Sequence, residues 1–356
     1  MPHSLATLSI SCADTIGWIC ALAIEYVAAR QVLDVEHDRS GYVSQPGDSN
    51  SYTFGSIASH NVVIAVLPSG KYGLTSAAVV ARDIFRSFLH LRVVLMVGIG
   101  GGAPTAMHDI CLGDVVISAP SSGRGGVYQY DFGKAMQGRG FQSTGSLNRP
   151  PTFVLTTVAE LAARLEEDDL DLDADVDILL SRRPNLKQNY ARPDQSSDVL
   201  YSDTYAHPNP DTDCSEACLA HETAIVPRNV RRAGHLKLVV IKDSTMRTKI
   251  ANEADIMCFD MEAAGLMDQI PSFIIRGICD YADSHKNKRW QGYAAMTAAT
   301  YAHRLLLTLP SVASEQELAS FDLPGQDESR HVLHSSAWVV SVKVKSYGHS
   351  STPRWL

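Results

Sequence analysis

Residues 258–265 read Cys-Phe-Asp-Met-Glu-Ala-Ala-Gly, and residues 276–283 read Arg-Gly-Ile-Cys-Asp-Tyr-Ala-Asp. In each stretch a short apolar run ends in carboxylates, namely Asp260 and Glu262 in the first and Asp280 in the second. We predict two buried parallel strands here, because strands buried on both faces are continuous apolar runs. Acids at the carboxyl ends of parallel strands form the crevice in which open α/β sheets bind ligands.

Each of these acids also has an ordinary structural explanation. Asp260 has the position of a helix N-cap, Glu262 would lie in the first helical turn, and Asp280 would lie in a surface turn. For one acid alone that explanation is favoured. Two acids behind two apolar runs favour a binding site.

The rest of the chain alternates between strand and helix patterns. We predict strands at 15–20, 52–57, 61–67, 92–97, 113–118 and 236–241, and helices at 23–33, 74–89, 152–165, 245–253 and 292–307. This alternation favours a doubly wound or mixed α/β sheet and argues against a β-sandwich.

Composition divides the chain into segments. Residues 1–14 are expected to form a flexible leader, 15–310 one domain and 311–356 an irregular tail. Within the domain, 166–234 is expected to be a loop-rich insertion that opens with an acidic run on a solvated face or loop. The glycine-rich stretch 121–150 is expected to be a long loop.

The net charge and the cysteines limit the classes of function. A net charge of −8 without a basic stripe argues against a nucleic-acid partner. No apolar run has the length of a membrane span, so we expect no membrane partner. The seven cysteines are an odd number and several lie in apolar runs, which predicts a reducing, cytoplasmic location.

The glycine-rich stretch 98–104 directly follows a predicted strand. It lacks the spacing of a dinucleotide-binding loop and the Gly-Lys-Ser/Thr of a P-loop. We therefore expect a loop that contacts an anion or a sugar, with a tight structural turn as the alternative.

Four potential zinc ligands occur within the insertion. His207, Cys214, Cys218 and His221 have the spacing H-x6-C-x3-C-x2-H, which matches none of the strong zinc signatures. We expect no metal and no cofactor.

Three carboxylates remain as candidates for chemistry. Glu25 lies at the first strand-to-helix junction, and Glu262 and Asp280 follow later strands. Such a group suits bond cleavage at a sugar carbon, because one acid can protonate a leaving group, a second can orient water and a third can hold ribose hydroxyls.

The pattern as a whole resembles the nucleoside phosphorylase/nucleosidase superfamily. The matching stretches are 21–25 (Ala-Leu-Ala-Ile-Glu), 98–102, 260–264 and 280–283. By mechanism the nearest branch is that of the methylthioadenosine/S-adenosylhomocysteine nucleosidases. The resemblance implies a three-layer αβα fold with a central mixed, partly barrel-like sheet.

Two further stretches, 127–134 and 277–294, are similar to the nucleoside-phosphorylase-like domains at the N-terminus of fungal NOD-like receptors. That likeness implies an effector or sensor domain of an immune-type receptor. Residues 235–242 depart from the family pattern, because a Ser-Gly-Asn or Ser-Gly-Asp stretch that contacts base and ribose is absent. Because of this departure, the alternative is a catalytically inactive module that binds nucleosides or mediates interactions.

The resemblance also implies a role for each matching residue. Asp280 matches the acid that protonates the purine at N7, and Glu25 matches the acid that positions the attacking water. Glu262 matches the carboxylate that binds the ribose 2′ and 3′ hydroxyls. The residues implied to contact ribose or base are Glu262, Met261, Gly100, Gly101 and Phe259.

The nucleophile is predicted from two positions. Phosphorylases commonly carry Ser or Thr where this chain has Ile99, and Glu25 stands where phosphate binding would favour Arg. We therefore predict hydrolysis of a purine nucleoside or nucleotide, with a phosphate-dependent phosphorylase as the alternative. The sequence leaves open whether the protein forms a homo-oligomer.

Overall fold

The computed structural model of the chain shows an α/β fold. It describes residues 15–105, 107–120, 125–129, 133–136, 140–143, 147–167, 171–209, 212, 214–218, 222–228, 236–237, 256–267, 270–285 and 288–311. The leader 1–14, the predicted helix at 245–253, His221, most of the predicted strand at 236–241 and all but the first residue of the tail 311–356 lie outside the described residues.

The structure describes eleven strands, of which the central ones follow the apolar runs of the sequence. They are β1 (Thr15–Cys20), β2 (Val35–His37), β3 (Tyr52–Ile57), β4 (His60–Val66), β5 (Leu91–Gly102), β6 (Val115–Ile117), β7 (Gly133–Met136), β8 (Gly140–Ser143), β9 (Leu236–Lys237), β10 (Cys258–Phe259) and β11 (Ser272–Asp280).

The described α-helices lie between these strands, except for the last helix, which follows β11. They are α1 (Ala23–Gln31), α2 (Leu74–Ser87), α3 (Thr152–Glu167), α4 (Leu172–Arg182), α5 (Lys187–Tyr190), α6 (Cys214–Ala217), α7 (Ala263–Met267) and α8 (Trp290–Thr308). No helix in the described part of the chain is both long enough and apolar enough to cross a membrane.

One mixed sheet organises the described strands. Its order is β2-β3-β4-β1-β5-β11-β6-β9, with β10 paired to the end of β5, and β7 and β8 form a separate pair. The central strands β4, β1, β5 and β11 run parallel to one another, whereas β2, β3 and β6 add antiparallel pairs. The described sheet is not closed. The predicted α/β fold with a mixed sheet is confirmed.

Side chains of the central strands alternate between two helical layers. Val93, Leu95 and Val97 of β5 pack with α1, α3, α4 and α8, whereas Val94 and Met96 pack with α2 and α7. This alternation follows from the pleat, because successive side chains of a strand point to opposite faces. The result is three layers with the sheet in the middle.

Helix α8 fixes the position of β11. Most of its residues are buried, and Trp290 and Tyr301 are fully enclosed. Gly277 allows the close approach of strand and helix, since a Cβ there would lie 1.8 Å from the Ala294 carbonyl oxygen. The end of β11, where Asp280 lies, is therefore held by a buried helix.

The acidic run, expected on a solvated face or loop, is in part helical. Asp171 caps α4 by accepting a hydrogen bond from the Asp173 N–H at 2.8 Å. Leu172, Val176 and Leu180 share one buried face of that helix because they are spaced four residues apart. In the stretch 121–150, expected as a long loop, the described residues include the β7–β8 pair.

The expectation of two parallel acid-tipped strands is wrong. β11 runs parallel to β5, but β10 has only two residues and runs antiparallel to β5. Gly101 pairs with Phe259 on one side and with Asp280 on the other. The two acidic stretches therefore meet because both pair with the last residues of β5.

Candidate active site

One cavity of about 400 Å³ opens where β1, β5 and β11 end. Its volume lies in the range of small-molecule pockets, about 300–1,000 Å³. It is lined by Ala21, Leu22, Glu25, Tyr72, Ile99, Gly100, Gly101, Phe259, Asp260, Met261, Glu262, Cys279, Asp280 and Gln291. All seven residues predicted to react or to bind the substrate lie in this wall, and their roles stay predictions.

Backbone N–H groups hold Glu25 in the cavity wall. Oε2 accepts hydrogen bonds from the N–H of Ala21 at 2.6 Å and of Leu22 at 2.9 Å, and Oε1 accepts one from Ile99 at 2.8 Å. A carboxylate offers about four acceptor positions, so one is left for a water molecule. Burial raises the pKa of Glu25, and the nearby charge of Arg276 partly offsets that effect.

A buried ion pair supports the wall from behind. Nε of Arg276 donates to Oδ2 of Asp260 at 2.5 Å, and both side chains are 3% exposed. Oδ1 of Asp260 accepts from the N–H groups of Glu262 and Ala263, each at 2.8 Å, at the start of α7. The Asp260 side chain thus caps backbone N–H groups at the start of α7, although Asp260 itself lies two residues before the N-cap position that was expected for it, and it also neutralises Arg276.

Glu262 is oriented by neighbours on both of its oxygens. Oε1 accepts from the Gly73 N–H at 3.1 Å and Oε2 from the Met261 N–H at 3.3 Å. Nη2 of Arg276 lies 3.9 Å from Oε2. Burial, and then the charge of Asp260, raise the pKa of Glu262.

Asp280 ends β11 and faces an unusual turn. Its Oδ1 accepts from the Ala282 N–H at 2.8 Å, and the Cys279 thiol donates to Oδ2 at 3.9 Å. Ala282 has a φ of 50°, in the left-handed region that a residue with a Cβ rarely adopts. Such backbone strain costs about 1–3 kcal/mol and clusters at functional sites.

The glycines at the end of β5 make room for the acids. A Cβ at Gly98 would lie 2.2 Å from Oε1 of Glu25, and a Cβ at Gly101 would lie 2.8 Å from Oδ1 of Asp280. Because the stretch 98–102 belongs to β5, it is not the loop that the sequence suggested. Its glycines are required by this close approach to the acids.

The cavity is strongly acidic. Four carboxylates line it, and its lining residues, all within the described part of the chain, include no Lys, Arg or His. Arg276 lies behind the wall and is paired with Asp260. An anion would therefore meet net negative charge in this cavity, whereas a neutral sugar with hydroxyl donors would meet acceptors.

Sequence reasoning missed Arg276, Tyr72 and Gln291. For Arg276 a signal existed, because an arginine inside the continuous apolar strand Ser272–Asp280 must be buried and therefore paired. Tyr72 and Gln291 lie outside any recognised motif. The potential metal ligands His207, Cys214 and Cys218 do not line the cavity and form a separate cluster.

Solved structures with a similar fold include nucleosidases. Futalosine hydrolase of Helicobacter pylori gives a TM-score of 0.50 at 13% identity, over 83% of this chain and 99% of that one. A variant of the Helicobacter pylori methylthioadenosine/S-adenosylhomocysteine nucleosidase, with 5′-methylthioadenosine in its active site, gives 0.51 at 11% identity, over 83% and 100%. This chain has the nucleosidase fold. The resemblance drawn from the motifs is confirmed at that level.

An NLR-like protein is similar in sequence. The nucleotide-binding leucine-rich repeat (NLR)-like protein of Hyaloscypha variabilis is 40% identical over 331 residues, or 89% of this chain. The chain spans about a third of that relative's length, 32%. No family model matches the sequence. The predicted likeness to receptor-borne domains is confirmed.

Proposed function

We propose that this domain hydrolyses the N-glycosidic bond of a purine nucleoside or nucleotide. One observation carries the proposal: Glu25, Glu262 and Asp280 line a single cavity in a chain with the nucleosidase fold. A protein with a similar fold holds 5′-methylthioadenosine in its active site, which supports a purine nucleoside as the class of substrate.

Asp280 is the proposed proton donor to the departing base. Cleavage of the bond leaves the electron pair on the purine, and a proton at N7 makes that purine a neutral leaving group. Asp280 suits this role because it is the last residue of β11 and lines the cavity. General acid catalysis of this kind typically contributes about 10²–10⁴-fold to the rate.

Glu262 and Met261 are proposed to hold the ribose. Hydrogen bonds from Gly73 and Met261 fix the Glu262 carboxylate, so its remaining acceptor positions can receive the 2′ and 3′ hydroxyls. The Met261 side chain is 47% exposed at the cavity and offers an apolar surface beneath the sugar. Gly100, Gly101 and Phe259 complete the contacts proposed for ribose and base.

Glu25 is proposed to orient a water molecule as the nucleophile. Its one remaining acceptor position suits a water that attacks C1′ as the base departs, while the carboxylate accepts the water's proton. Phosphate is a poor alternative, because the described lining residues carry four acids and no cation. The negative charge of these carboxylates would repel a phosphate anion in the cavity.

The likeness to an NLR-like protein supports a place within a larger receptor. We infer that the domain is an effector or sensor part of such a receptor. The cytoplasmic location predicted from the cysteines fits that setting and stays a prediction.

The test is an assay for free base. Adenosine, methylthioadenosine and ATP are each incubated with the protein, with and without phosphate, and the products are separated by chromatography. We expect base release without phosphate from at least one substrate and a loss of about 10²–10⁴-fold in Asp280→Asn. Asp38→Asn, a change at an exposed aspartate, serves as the matched control and should keep full activity.

Other outcomes would identify the alternatives. Base release that requires phosphate would indicate a phosphorylase. Nucleoside binding in calorimetry without any turnover would indicate a catalytically inactive sensor. Full activity in Asp280→Asn would refute the assignment of the proton donor.

A further inference from the structure

A second cluster of reactive side chains lies outside the cavity. A ring nitrogen of His207 and the sulfur atoms of Cys214 and Cys218 lie within 4.8 Å of one another. Cys218 is fully buried, and the other two residues are half-buried. The proposed hydrolysis uses none of the three.

Local structure explains why the two thiols converge. The Cys218 N–H donates to the Cys214 carbonyl oxygen at 3.0 Å, which closes one helical turn at α6. Residues four apart lie on the same face of a helical turn, so both sulfurs point to one side. His207 lies seven residues before Cys214, and one of its ring nitrogens is within 4.8 Å of both sulfurs.

These separations suit a tetrahedral zinc ion. With Zn–S bonds of about 2.3 Å and Zn–N bonds of about 2.0–2.1 Å, ligand atoms stand roughly 3.5–3.8 Å apart. Because the ligand atoms of this cluster lie up to 4.8 Å apart, they would move slightly closer together when zinc binds. Two thiolates balance the charge of Zn²⁺, which matters at a site where one sulfur is fully buried.

His207 supplies a second, independent observation. Its Nδ1 accepts a long hydrogen bond, 3.3 Å, from the Asn209 N–H, whereas its Nε2 is buried and has no hydrogen-bond partner among the described residues. A buried polar atom without a partner is costly. A metal ion bound at Nε2 would satisfy that atom, and the ring proton would move to Nδ1 at the expense of the long contact.

The cluster borders the chain that follows Asp280. The His207 N–H donates to Oγ of Ser284 at 2.9 Å, and the His207 ring lies 5.4 Å, centroid to centroid, from the ring of His285. His285 in turn stacks on Tyr201 at 4.2 Å. A metal ion in the cluster would therefore fasten this part of the insertion to residues 281–285.

We propose that His207, Cys214 and Cys218 bind a zinc ion that anchors the insertion beside the Asp280 turn. Three protein ligands leave one position of the tetrahedron for a water molecule. The spacing H-x6-C-x3-C matches no common zinc signature, but the folded chain brings one ligand atom of each residue together. The ion stabilises the fold next to the cavity and takes no part in the proposed hydrolysis.

The test measures metal content in the full chain. Protein prepared without a histidine tag, in a reducing buffer free of chelators, is incubated with Zn²⁺, gel-filtered and analysed by plasma mass spectrometry. We expect about one zinc per chain in the wild type and a loss of at least tenfold in Cys218→Ser and in Cys214→Ser. Cys111→Ser is the matched control, because that buried sulfur instead receives a hydrogen bond from Arg228.

Cobalt binding can be measured on the wild-type protein alone, so this test does not require that the cysteine variants fold. Wild-type protein stripped by a chelator and loaded with Co²⁺ should show thiolate-to-cobalt charge-transfer bands and the intense visible bands of tetrahedral cobalt, and its Tm should rise on loading. Absence of these bands, or zinc content in the wild type no higher than in Cys218→Ser, would overturn the proposal. A Cys214–Cys218 disulfide in the reduced preparation would also overturn it.

Discussion

Two partly or fully buried arginines lie on either side of the end of β11, and different partners surround them. Arg276 is paired with Asp260 and also lies 3.9 Å from Glu262. Arg228 contacts Tyr281, the residue directly after Asp280, with Nη1 donating to the phenol oxygen at 2.7 Å.

Around Arg228 only one buried acid is present among the described residues. A second acid, Asp109, has its Oδ1 3.5 Å from Nε of Arg228, but the Asp109 side chain is 48% exposed. Asp198 is the buried acid nearest to it, with a 2% exposed side chain whose oxygen lies 3.5 Å from Nη2. Tyr281 donates its hydroxyl proton to the other oxygen of Asp198, and Cys111 accepts from Nη2 at 2.5 Å. One cation, one buried acid and two neutral groups satisfy one another, which is the pattern of a structural network.

Around Arg276 acids are in excess. The charges of Glu25, Asp260 and Glu262 all act on this one guanidinium and raise its pKa. The pKa values of Glu25 and Glu262 are nevertheless raised, first of all by burial. An excess of buried acids costs stability, and carboxylates with raised pKa values are frequent in active sites. Burial also raises the pKa of Asp198, so the two clusters differ in the number of buried acids around one guanidinium and not in the direction of their pKa shifts.

Arg276→Met should have the largest effect. It leaves Asp260 as an uncompensated buried charge, and breaking such a pair costs about 3–5 kcal/mol of unfolding free energy. Urea denaturation monitored by fluorescence measures this loss, and base release should disappear with it.

Arg30→Met is the matched control for that experiment. Arg30 pairs with Glu36 on the surface, with both side chains more than 40% exposed, and exposed pairs contribute about 0–1 kcal/mol. Equal losses of unfolding free energy in the two variants would mean that the buried pair contributes no more to stability than the exposed pair.

Glu25→Gln should have the next largest effect, a fall in base release of about 10²–10⁴-fold, because an amide cannot accept the proton of the attacking water. The raised pKa of Glu25 also predicts the pH dependence. The buried carboxyl takes up its proton at a higher pH than an exposed glutamate, whose pKa is about 4.3. Activity should therefore decline on the acidic side at a higher pH than the pKa of an exposed glutamate.

The pH profile of kcat/KM for the wild type measures this acid limb. Glu36→Gln, at an exposed position, should leave the profile unchanged. An acid limb at the pH of an ordinary glutamate, or undiminished activity in Glu25→Gln, would remove Glu25 from the mechanism.

The same comparison shows what the sequence could predict. The strand Thr15–Cys20 was predicted with its bounds, because a strand buried on both faces is a continuous apolar run. The direction of β10 was not, since the partner of a two-residue strand is set by tertiary structure. Periodicity reports burial and not pairing, so Arg276 passed unnoticed within its apolar strand.

Helix α4 was also not predicted from the sequence, because that helix lies in an acidic run. Leu172, Val176 and Leu180 have helical spacing, but the aspartates between them favoured a loop. The site acids were found because motif resemblance places them, and the structure brings them to one cavity. The cluster at His207 shows the converse: the sequence named its residues as potential zinc ligands, but their spacing argued against a metal, and only the folded chain shows that they converge.

Tyr281→Phe should have the smallest effect and tests the structural network alone. The change removes the hydroxyl that donates to Asp198 and accepts from Arg228, but these two groups still face each other. A lost hydrogen bond at a buried charged group costs about 1–3 kcal/mol, so urea denaturation should show a loss below that of Arg276→Met. Base release should change little, because Tyr281 does not line the cavity. If activity fell as far as in Asp280→Asn while stability held, the network around Arg228 would belong to the catalytic machinery after all.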